Sequence, residues 1–485
     1  MPAYETVIGL EAHVQLTTHS KAFSADPAAF GGAPNTHTSA ISLAHPGTLP
    51  RLNRRAVGFA VRLGLALDCT INRNSVFERK NYFYADLPKG YQITQGKRPI
   101  CTGGKIQIKL PNGARKTAHI HQIHLEEDAG KSLHDQRPGV SLIDLNRAGV
   151  PLLEIVGEPD LHSADEAAAF MEAIRRLVRW LGISDGNMEE GSLRCDVNVS
   201  VRKAGHKALG ARCEIKNLNS MRFARRAIEY EAARQADILE RGNRIEQQTR
   251  GFDAATGATY PLRDKEEVHD YRYFPEPDLP PVILTDAEVE HIRAGLPPLP
   301  EALEAAFQTQ YGLPAHDADA LTQDLATAGY FQVLATGVPQ LAKPLANLLI
   351  HKLLPWSAGA GTALADCPVS PGQWRRFAGL IQSGRISASA ANQRLFPALL
   401  SQPGAEPAEL AEALHLLQTA GAGELEQLTD AVLARFPDKV AEYRKGKKGL
   451  LGFFMGELMK ASGGKADPKA AMRVLEEKLS SVGFG

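Results

Sequence analysis

From Ser192 to Arg202 the chain alternates without a break. Ser192, Arg194, Asp196, Asn198, Ser200 and Arg202 fall on one side; Leu193, Cys195, Val197, Val199 and Val201 fall on the other. A period of two sends successive side chains to opposite faces of a β-strand, so one face of this strand belongs in a core. The other face carries a base, an acid, an amide and hydroxyls, with Glu189 and Glu190 just ahead of it. Such a face is either solvated surface or the floor of a site for a cation and an anionic substrate. Other segments repeat the pattern, which favours the floor. Tyr4 to Leu16 sets Glu11, His13 and Gln15 against Leu10, Ala12, Val14 and Leu16. An acid two residues from an imidazole on one strand face suits a divalent metal ion.

The segments between these strands carry more charge than loops require. Residues 17 to 50 are rich in Gly, Pro, Ser and Ala and predict a long irregular loop. A loop that long inside a compact domain is usually functional. Arg51 to Leu67 has helical spacing. Glu78 to Gln95 sets tyrosines among Arg79, Lys80, Asp86 and Lys89, a mixture that suits either phosphate and base contacts or an ordinary strand and turn. Ile106 to Ile123 reads as a hairpin about Pro111-Asn112-Gly113, with His119, His121 and His124 near its end. His124 has the opposite parity to the other two, which weakens a three-histidine metal site. Gly130-Lys131-Ser132 mimics the end of a phosphate-binding loop, but Leu125 stands where that motif needs glycine. The preceding Glu126, Glu127 and Asp128 are better suited to Mg²⁺. Ser141 to Val156 holds Asp144, Asn146, Arg147 and Glu154 in an apolar background, where charges must be paired or liganding. Ser163 and Glu166 predict a capping box for a helix to Leu181. A return strand, Cys213 to Asn217, precedes a long helix from Ser220 to Arg241.

Pro275 to Pro281 marks a boundary, beyond which the pattern is helical. A second break falls at Gln402 to Pro407. Between Phe436 and Lys465 stand seven basic residues (Lys439, Arg444, Lys445, Lys447, Lys448, Lys460, Lys465) and three acids (Asp438, Glu442, Glu457). This excess of positive charge beside the apolar run Leu450 to Met455 is either an RNA phosphate contact or a solvated face. It must act locally, because formal net charge is zero. Five cysteines with no C-x-x-C pair argue against disulfides and a thiolate metal site and predict a reducing cytoplasm. The N-terminus shows neither a leader nor an apolar block, so no signal peptide is expected, and no run is long enough to span a membrane.

Acids drawn from separate strands (Glu11, Glu126, Glu154, Asp196) predict one cavity with a divalent ion. Arg147, Lys80, Lys89 and Arg194 are available to balance phosphates. Phosphoryl transfer needs little beyond positioning, a metal and positive charge. No nucleophilic triad and no dinucleotide-binding glycine motif stands out. The fold class expected is α+β, a strand-rich front followed by helical segments.

Several motifs then carry a resemblance. V-I-G-L-E-A-H-V-Q-L, Pro34-Asn35-Thr36, R-K-N-Y-F-Y-A-D-L-P-K-G-Y-Q-I, H-L-E-E-D-A-G-K-S, G-S-L-R-C-D-V-N-V-S, E-I-K-N-L-N-S and D-Y-R-Y-F-P-E-P-D-L-P-P closely resemble the B-subunit family of aspartyl/glutamyl-tRNA amidotransferases. The run K-G-K-K-G-L-L-G-F-F-M-G-E-L-M-K resembles the family's tRNA-binding end. The resemblance spans nearly the whole chain. It implies a cradle domain around a mostly antiparallel sheet (1–293), an all-α helical domain (294–407) and a small tRNA-binding helical tail (408–485). It implies a heterotrimer in which an amidase A subunit hydrolyses glutamine and a small C subunit clamps the two. Ammonia would cross into the cradle. There ATP and Mg²⁺ would phosphorylate the side-chain carboxylate of Glu on tRNA(Gln) or Asp on tRNA(Asn), and ammonia would displace the phosphate. A nondiscriminating aminoacyl-tRNA synthetase is a further partner implied.

The resemblance assigns Glu11, His13, Glu126, Glu154 and Asp196 to the metal and phosphate shell, with Arg147 beside them. It assigns Arg79, Lys80, Tyr82, Tyr84 and Lys89 to the ammonia exit and acceptor end, and Arg194, read above as a charge for phosphates, is placed on the same substrate path. One departure stands out. Many members carry two cysteine pairs flanking the Pro34-Asn35-Thr36 loop and bind zinc there. Here those positions fall near Ser24, Ala25 or Asp26, Ser39 and Ser42, so no zinc is expected and the loop must be held by packing and hydrogen bonds. Three alternatives remain open at this point: a noncatalytic tRNA-binding scaffold of the same complex, an RNA-modifying enzyme that uses ATP without an amidase partner, and a plain metal hydrolase.

Overall fold

A computed structural model describes residues 4–263, 271–417, 422–463, 466 and 468–480. It divides into two compact units, Met1–Leu299 and Pro300–Gly485. The first is organised by a ten-stranded sheet. In chain order its strands are β1 Tyr4–Gln15, β2 Thr70–Ile71, β3 Cys101–Thr102, β4 Lys105–Lys109, β5 Arg115–Glu127, β6 Pro151–Gly157, β7 Leu193–Lys203, β8 Cys213–Leu218, β9 Gln248–Asp253 and β10 Ala258–Arg263. Across the sheet they run β10-β9-β8-β7-β1-β6-β5-β3-β2, with β4 also on β5. All pairs are antiparallel but β8 and β9. That pair is parallel because the helix Met221–Glu240 lies between the two strands and returns the chain to the same end.

The alternation sorts the two faces as the sequence predicts. Leu10, Ala12, Val14, Leu193, Cys195, Val197, Val199, Leu153 and Ile155 are all 0–1% exposed. Burying one Leu, Ile or Val contributes roughly 1.5–3 kcal/mol, so this row fixes the register strongly. Three helices pack on the sheet: α1 Arg54–Ala66 against β5, α2 Ala164–Trp180 against β1 and β4, and α3 Met221–Glu240 against β7. The side chain of Asn53 caps α1, accepting from the N–H groups of Arg55 and Ala56. Ser163 caps α2 by accepting from the Glu166 N–H. The predicted box does not close on Ser163 itself, because the Glu166 carboxylate takes the His162 N–H at 2.6 Å and Lys116 at 2.7 Å.

The long loop after β1 is tied down at two places. At the first, the Asp26 carboxylate accepts from the hydroxyls of Ser24 (3.0 Å), Ser39 (3.0 Å) and Ser42, and from the Ser39 N–H (3.1 Å). These hydroxyls outweigh the cost of burial and hold Asp26 below its usual pKa. At the second, Asn35 sits in the left-handed region (φ 60°) and docks on the end of the short strand Val140–Asp144 that precedes β6. Its N–H donates to the Asp144 carboxylate at 3.1 Å, its amide to the Ile143 carbonyl at 2.9 Å, and its amide oxygen accepts from the Leu145 N–H at 2.8 Å. Asp144 and Asn146 thus serve as loop anchors; Asn146 bonds Ala33 and His37.

The second unit is helical. Among the described residues its largest buried side chains include Phe307, Phe331, Trp374 and Phe377. Trp374 stacks on Phe396 at 5.3 Å. Ser370 and Gln373 close a capping box on the helix Pro371–Gln382. Toward the end of the chain, the helices Ala422–Ala434, Pro437–Arg444, Leu450–Ala461 and Pro468–Ser480 enclose a core that includes Val432, Tyr443, Phe454, Leu458 and Leu475.

Asp26→Ala removes the acceptor that gathers three hydroxyls and is expected to cost about 1–3 kcal/mol. The check is a lower melting temperature together with faster protease nicking between residues 17 and 50. Unchanged melting and nicking would mean that packing alone holds this loop.

Candidate functional site

The register of β1 builds the site. β1 lies between β6 and β7, with His13 opposite Glu154 on one side and Arg194 on the other, and Glu11 opposite Asp196. Beyond β6, Glu154 pairs with His124 and Leu152 with Glu126. All of these charged side chains share the face that the apolar row leaves over. They surround a cavity of about 230 Å³. Glu11, His13, Glu126, Glu154 and Asp196, expected in the metal and phosphate shell, all line it, as does Arg147. So do Lys80, Tyr82 and Arg194 from the predicted substrate path. Gln92, Asp128 and Lys216, which belong to neither predicted set, line it too.

Two acidic clusters share this face. His13, Glu126 and Glu154 bring one donor atom each to within 4.8 Å of one another, and so do Glu11, Asp196 and Glu214. The five residues assigned to one metal shell thus divide between two groups, and Glu214 joins the second. Its signal in the sequence was the return strand after Ser192–Arg202, where Glu214 falls opposite Asn198. Burial keeps the His13 imidazole neutral by lowering its pKa. Burial and then the charge of Glu154 raise Glu126, to about 8. Burial also opposes the charge of Glu154, but the imidazoles of His124 and His13 beside it outweigh it and hold Glu154 low. One acid of the pair therefore carries the proton and the other the charge. Burial and Glu154 raise Glu11 as well. Lys216 lies 3.2 Å from Asp196 and 2.8 Å from Glu214 and offsets part of the charge of the second cluster.

His124 shares the cavity face, 3.8 Å from Glu154, while His119 and His121 pair with Asp160 and Glu158 near the far end of β5. The predicted difference in parity separates His124 from the other two.

The remaining path residues lie outside the cavity lining. Arg79 grips Glu276 through two bonds of 2.7 and 2.9 Å and stacks on Tyr91 at 4.2 Å, anchoring the Pro275–Pro281 segment. Lys89 pairs with Glu127. Tyr84 is exposed and meets Tyr82 edge-on at 5.8 Å. Lys80, at the cavity itself, faces aromatic rings, 5.0 Å from that of Tyr271 and 5.9 Å from that of Tyr82.

Near the chain's end, Lys439 lies 3.4 Å from the Phe453 ring and Lys448 4.3 Å from that of Tyr443. Lys447 and Lys460 pair with Glu442 and Glu457 at 3.1 and 2.9 Å. Arg444 donates to the Leu479 carbonyl at 3.3 Å. Lys445 is exposed. Lys465 falls outside the described residues, as does most of the charged run 263–270.

Fold and site together define a catalytic domain with a charged cavity on a mixed sheet, followed in the same chain by a helical unit. Comparison with known families agrees: residues 6–290 match the GatB/GatE catalytic domain and residues 330–479 the GatB domain. The B subunit of the aspartyl/glutamyl-tRNA(Asn/Gln) amidotransferase of Halorhodospira halophila is 48% identical over 476 residues, covering 98% of this chain and 99% of the relative. That of Myxococcus xanthus is 47% identical over 476 residues, covering 98% of each. That of Anaeromyxobacter dehalogenans is 49% identical over 480 residues, covering 98% of this chain and 99% of the relative. The chain belongs to this family of amidotransferase B subunits. It is one component of a tRNA amidotransferase, a carbon–nitrogen ligase.

The raised pKa of Glu126 makes stability depend on pH. The folded protein holds this proton while the unfolded chain releases it near 4.5, so the stability that Glu126 contributes is lost as pH climbs from 4.5 to about 8. Glu126→Gln is expected to flatten that slope, read as melting temperature against pH in metal-free buffer. An unaltered slope would show that Glu126 is ionised throughout.

Proposed function

We propose that the cavity activates the side-chain carboxylate of Glu on tRNA(Gln), Asp on tRNA(Asn), or both, by phosphorylation with ATP, and then converts it to the amide with ammonia. The relatives are named for both tRNA specificities. The observation that carries the chemistry is the convergence of Glu11, His13, Glu126, Arg147, Glu154 and Asp196 on one cavity inside the family's catalytic domain.

The donor sets fit Mg²⁺. A neutral imidazole with two carboxylates and a group of three carboxylates are oxygen-rich sites for a hard cation. Beside them the His124 Nε2 and Asn198 Oδ1 atoms are buried without a hydrogen-bond partner among the described residues. Glu11, His13, Glu126, Glu154, Asp196 and Glu214 are the residues that would hold it. When bound, the metal neutralises charge on the phosphoryl group in transfer. This chain's residues do the rest. Arg147 bonds the carbonyls of Ala129 (2.8 Å) and Gly130 (2.6 Å) and keeps the turn after β5 in place. Lys80 and Arg194 bring positive charge to the cavity, where an anionic substrate needs it. The Lys80 ammonium keeps its proton, since Glu126 and its neighbours outweigh burial.

No nucleophile for glutamine hydrolysis stands out in the sequence, which favours an amidase A subunit as the source of ammonia, with a small C subunit completing a cytoplasmic heterotrimer. The cradle would run over 1–293 and a helical domain over 294–407. The tail 408–485 would hold tRNA through Lys439, Arg444, Lys445, Lys447, Lys448, Lys460 and Lys465. A nondiscriminating synthetase is a natural donor of the misacylated tRNA. The cluster of Ser24, Ser39 and Ser42 on Asp26 takes the place of the zinc ligands expected of many members, so metal analysis is expected to find zinc well below one equivalent.

The test uses the complex reconstituted with its partner subunits, Glu-tRNA(Gln), Mg²⁺, ammonium and γ-labelled ATP. Asp196→Asn and Glu126→Gln are expected to abolish both phosphate release and Gln-tRNA formation while glutaminase activity persists. Amidation by either variant at the wild-type rate would move the chemistry to another surface. Deleting 408–485 is expected to raise KM for tRNA at least tenfold, the effect of losing about 1.4 kcal/mol of binding, with little change in kcat. An equal loss in both would remove the tail from tRNA recognition.

A further inference from the structure

Asp128 closes the acidic run at the end of β5, yet it belongs to neither acidic cluster. Both of its carboxylate oxygens are taken. Oδ2 accepts from the Gln15 amide at 2.6 Å and from Arg194 Nη2 at 2.7 Å, and Oδ1 accepts from the Ala129 N–H at 2.9 Å. Arg147 Nε lies 3.7 Å away. The side chain is 5% exposed, so its partners cannot be exchanged for water without cost. A carboxylate so fully engaged is a poor metal ligand and a good anchor. Arg194 and then Arg147 outweigh the effect of burial and keep it ionised.

The anchored group is the informative one. Arg194 sits opposite His13 in the register and lines the cavity. Its Nε is buried and has no hydrogen-bond partner among the described residues. A buried N–H left unmatched is costly, and a guanidinium presents its donors in a fixed planar fork. Asp128 takes one arm of the fork and thereby sets the direction of the others.

Resting on the reading of the cavity given above, we propose that Asp128 is a positioning residue that fixes Arg194 as the receptor for a substrate oxyanion. That oxyanion is either a phosphoryl oxygen of the nucleotide or the side-chain carboxylate of the aminoacyl group; both present the same geometry to a guanidinium. Gln15 is the second support of the anchor, tying it to β1. Asp128 is therefore set apart from its neighbour Glu126, although the two lie two residues apart in one acidic run.

The experiment compares Arg194→Lys, Asp128→Asn and the double variant in the reconstituted complex, with ammonium as nitrogen donor. KM for ATP, KM for aminoacyl-tRNA and kcat are measured separately. Arg194→Lys keeps the charge and loses the fork, and its kcat/KM is expected to fall on the order of 100-fold, the scale of a misplaced binding group. A rise in KM for ATP identifies the phosphoryl oxygen; a rise in KM for aminoacyl-tRNA identifies the carboxylate. Asp128→Asn is expected to shift the same KM in the same direction, and the double variant to be no worse than Arg194→Lys, since the two act as one unit. Losses that multiply, or wild-type kinetics in Arg194→Lys, overturn the proposal. Arg194→Lys carries the test alone if Asp128→Asn does not fold. Asp196→Asn separates the two levels of argument. If it turns over normally, the reading of the cavity falls. If it is inactive while Arg194→Lys is unaffected, only the assignment of Asp128 and Arg194 falls.

Discussion

The pairing of β1 with β6 and β7 is the constraint on which the site depends. Three adjacent antiparallel strands place Glu11, His13, Glu154, Arg194 and Asp196 side by side. Like charges at such spacing repel, and burial adds to the cost. The opposite face provides the compensation: a row of fully buried aliphatic side chains that tolerates no slip of register. A shift of one residue would send the charges into the core and the valines into the cavity. Hydrophobic packing on one side of the sheet thus holds electrostatic strain on the other.

That strain is moderated by distribution. Glu126 keeps a proton while Glu154 gives one up, so the pair carries one negative charge where two would repel. Asp128 is consumed by Arg194 and Gln15. The positive groups are held in different ways: Arg194 by a carboxylate, Arg147 by backbone carbonyls, Lys80 by aromatic rings. Such variety suits the anionic substrate proposed for the cavity, since a fully paired set of charges would have no donors left to offer.

Much of this was legible in the sequence, because a two-residue period carries face and register together. The strands β1 and β7 and the shared location of Glu11, His13, Glu126, Glu154 and Asp196 follow from alternation and motif order. What alternation does not encode is which of several acids on one face meets which cation. Glu126, Glu127 and Asp128 look alike in sequence; in the fold Glu126 joins an acidic cluster, Glu127 takes Lys89, and Asp128 takes Arg194. Arg79 reads in sequence as a charge among tyrosines, and that pattern does not reveal that its partner Glu276 lies nearly two hundred residues on. The parallel pairing of β8 and β9 was likewise hidden, since a strand's direction relative to its neighbour depends on the intervening helix. The serine cluster on Asp26 was visible only as absent cysteines.

Lys216 has a consequence for how the protein comes into being. Its ammonium already bridges Asp196 and Glu214, so the second acidic cluster has a counter-ion supplied by the chain itself. Many metal-binding cores cannot form until their ion arrives, because uncompensated carboxylates hold the strands apart. Here the tethered cation offsets carboxylate repulsion across the pairing of β7 and β8 with no ion between them. An incoming ion would then enter by displacing a side chain from a finished fold. If the cavity holds a metal as proposed, loss of the ion would empty the site and leave the pairing of β7 and β8 in place.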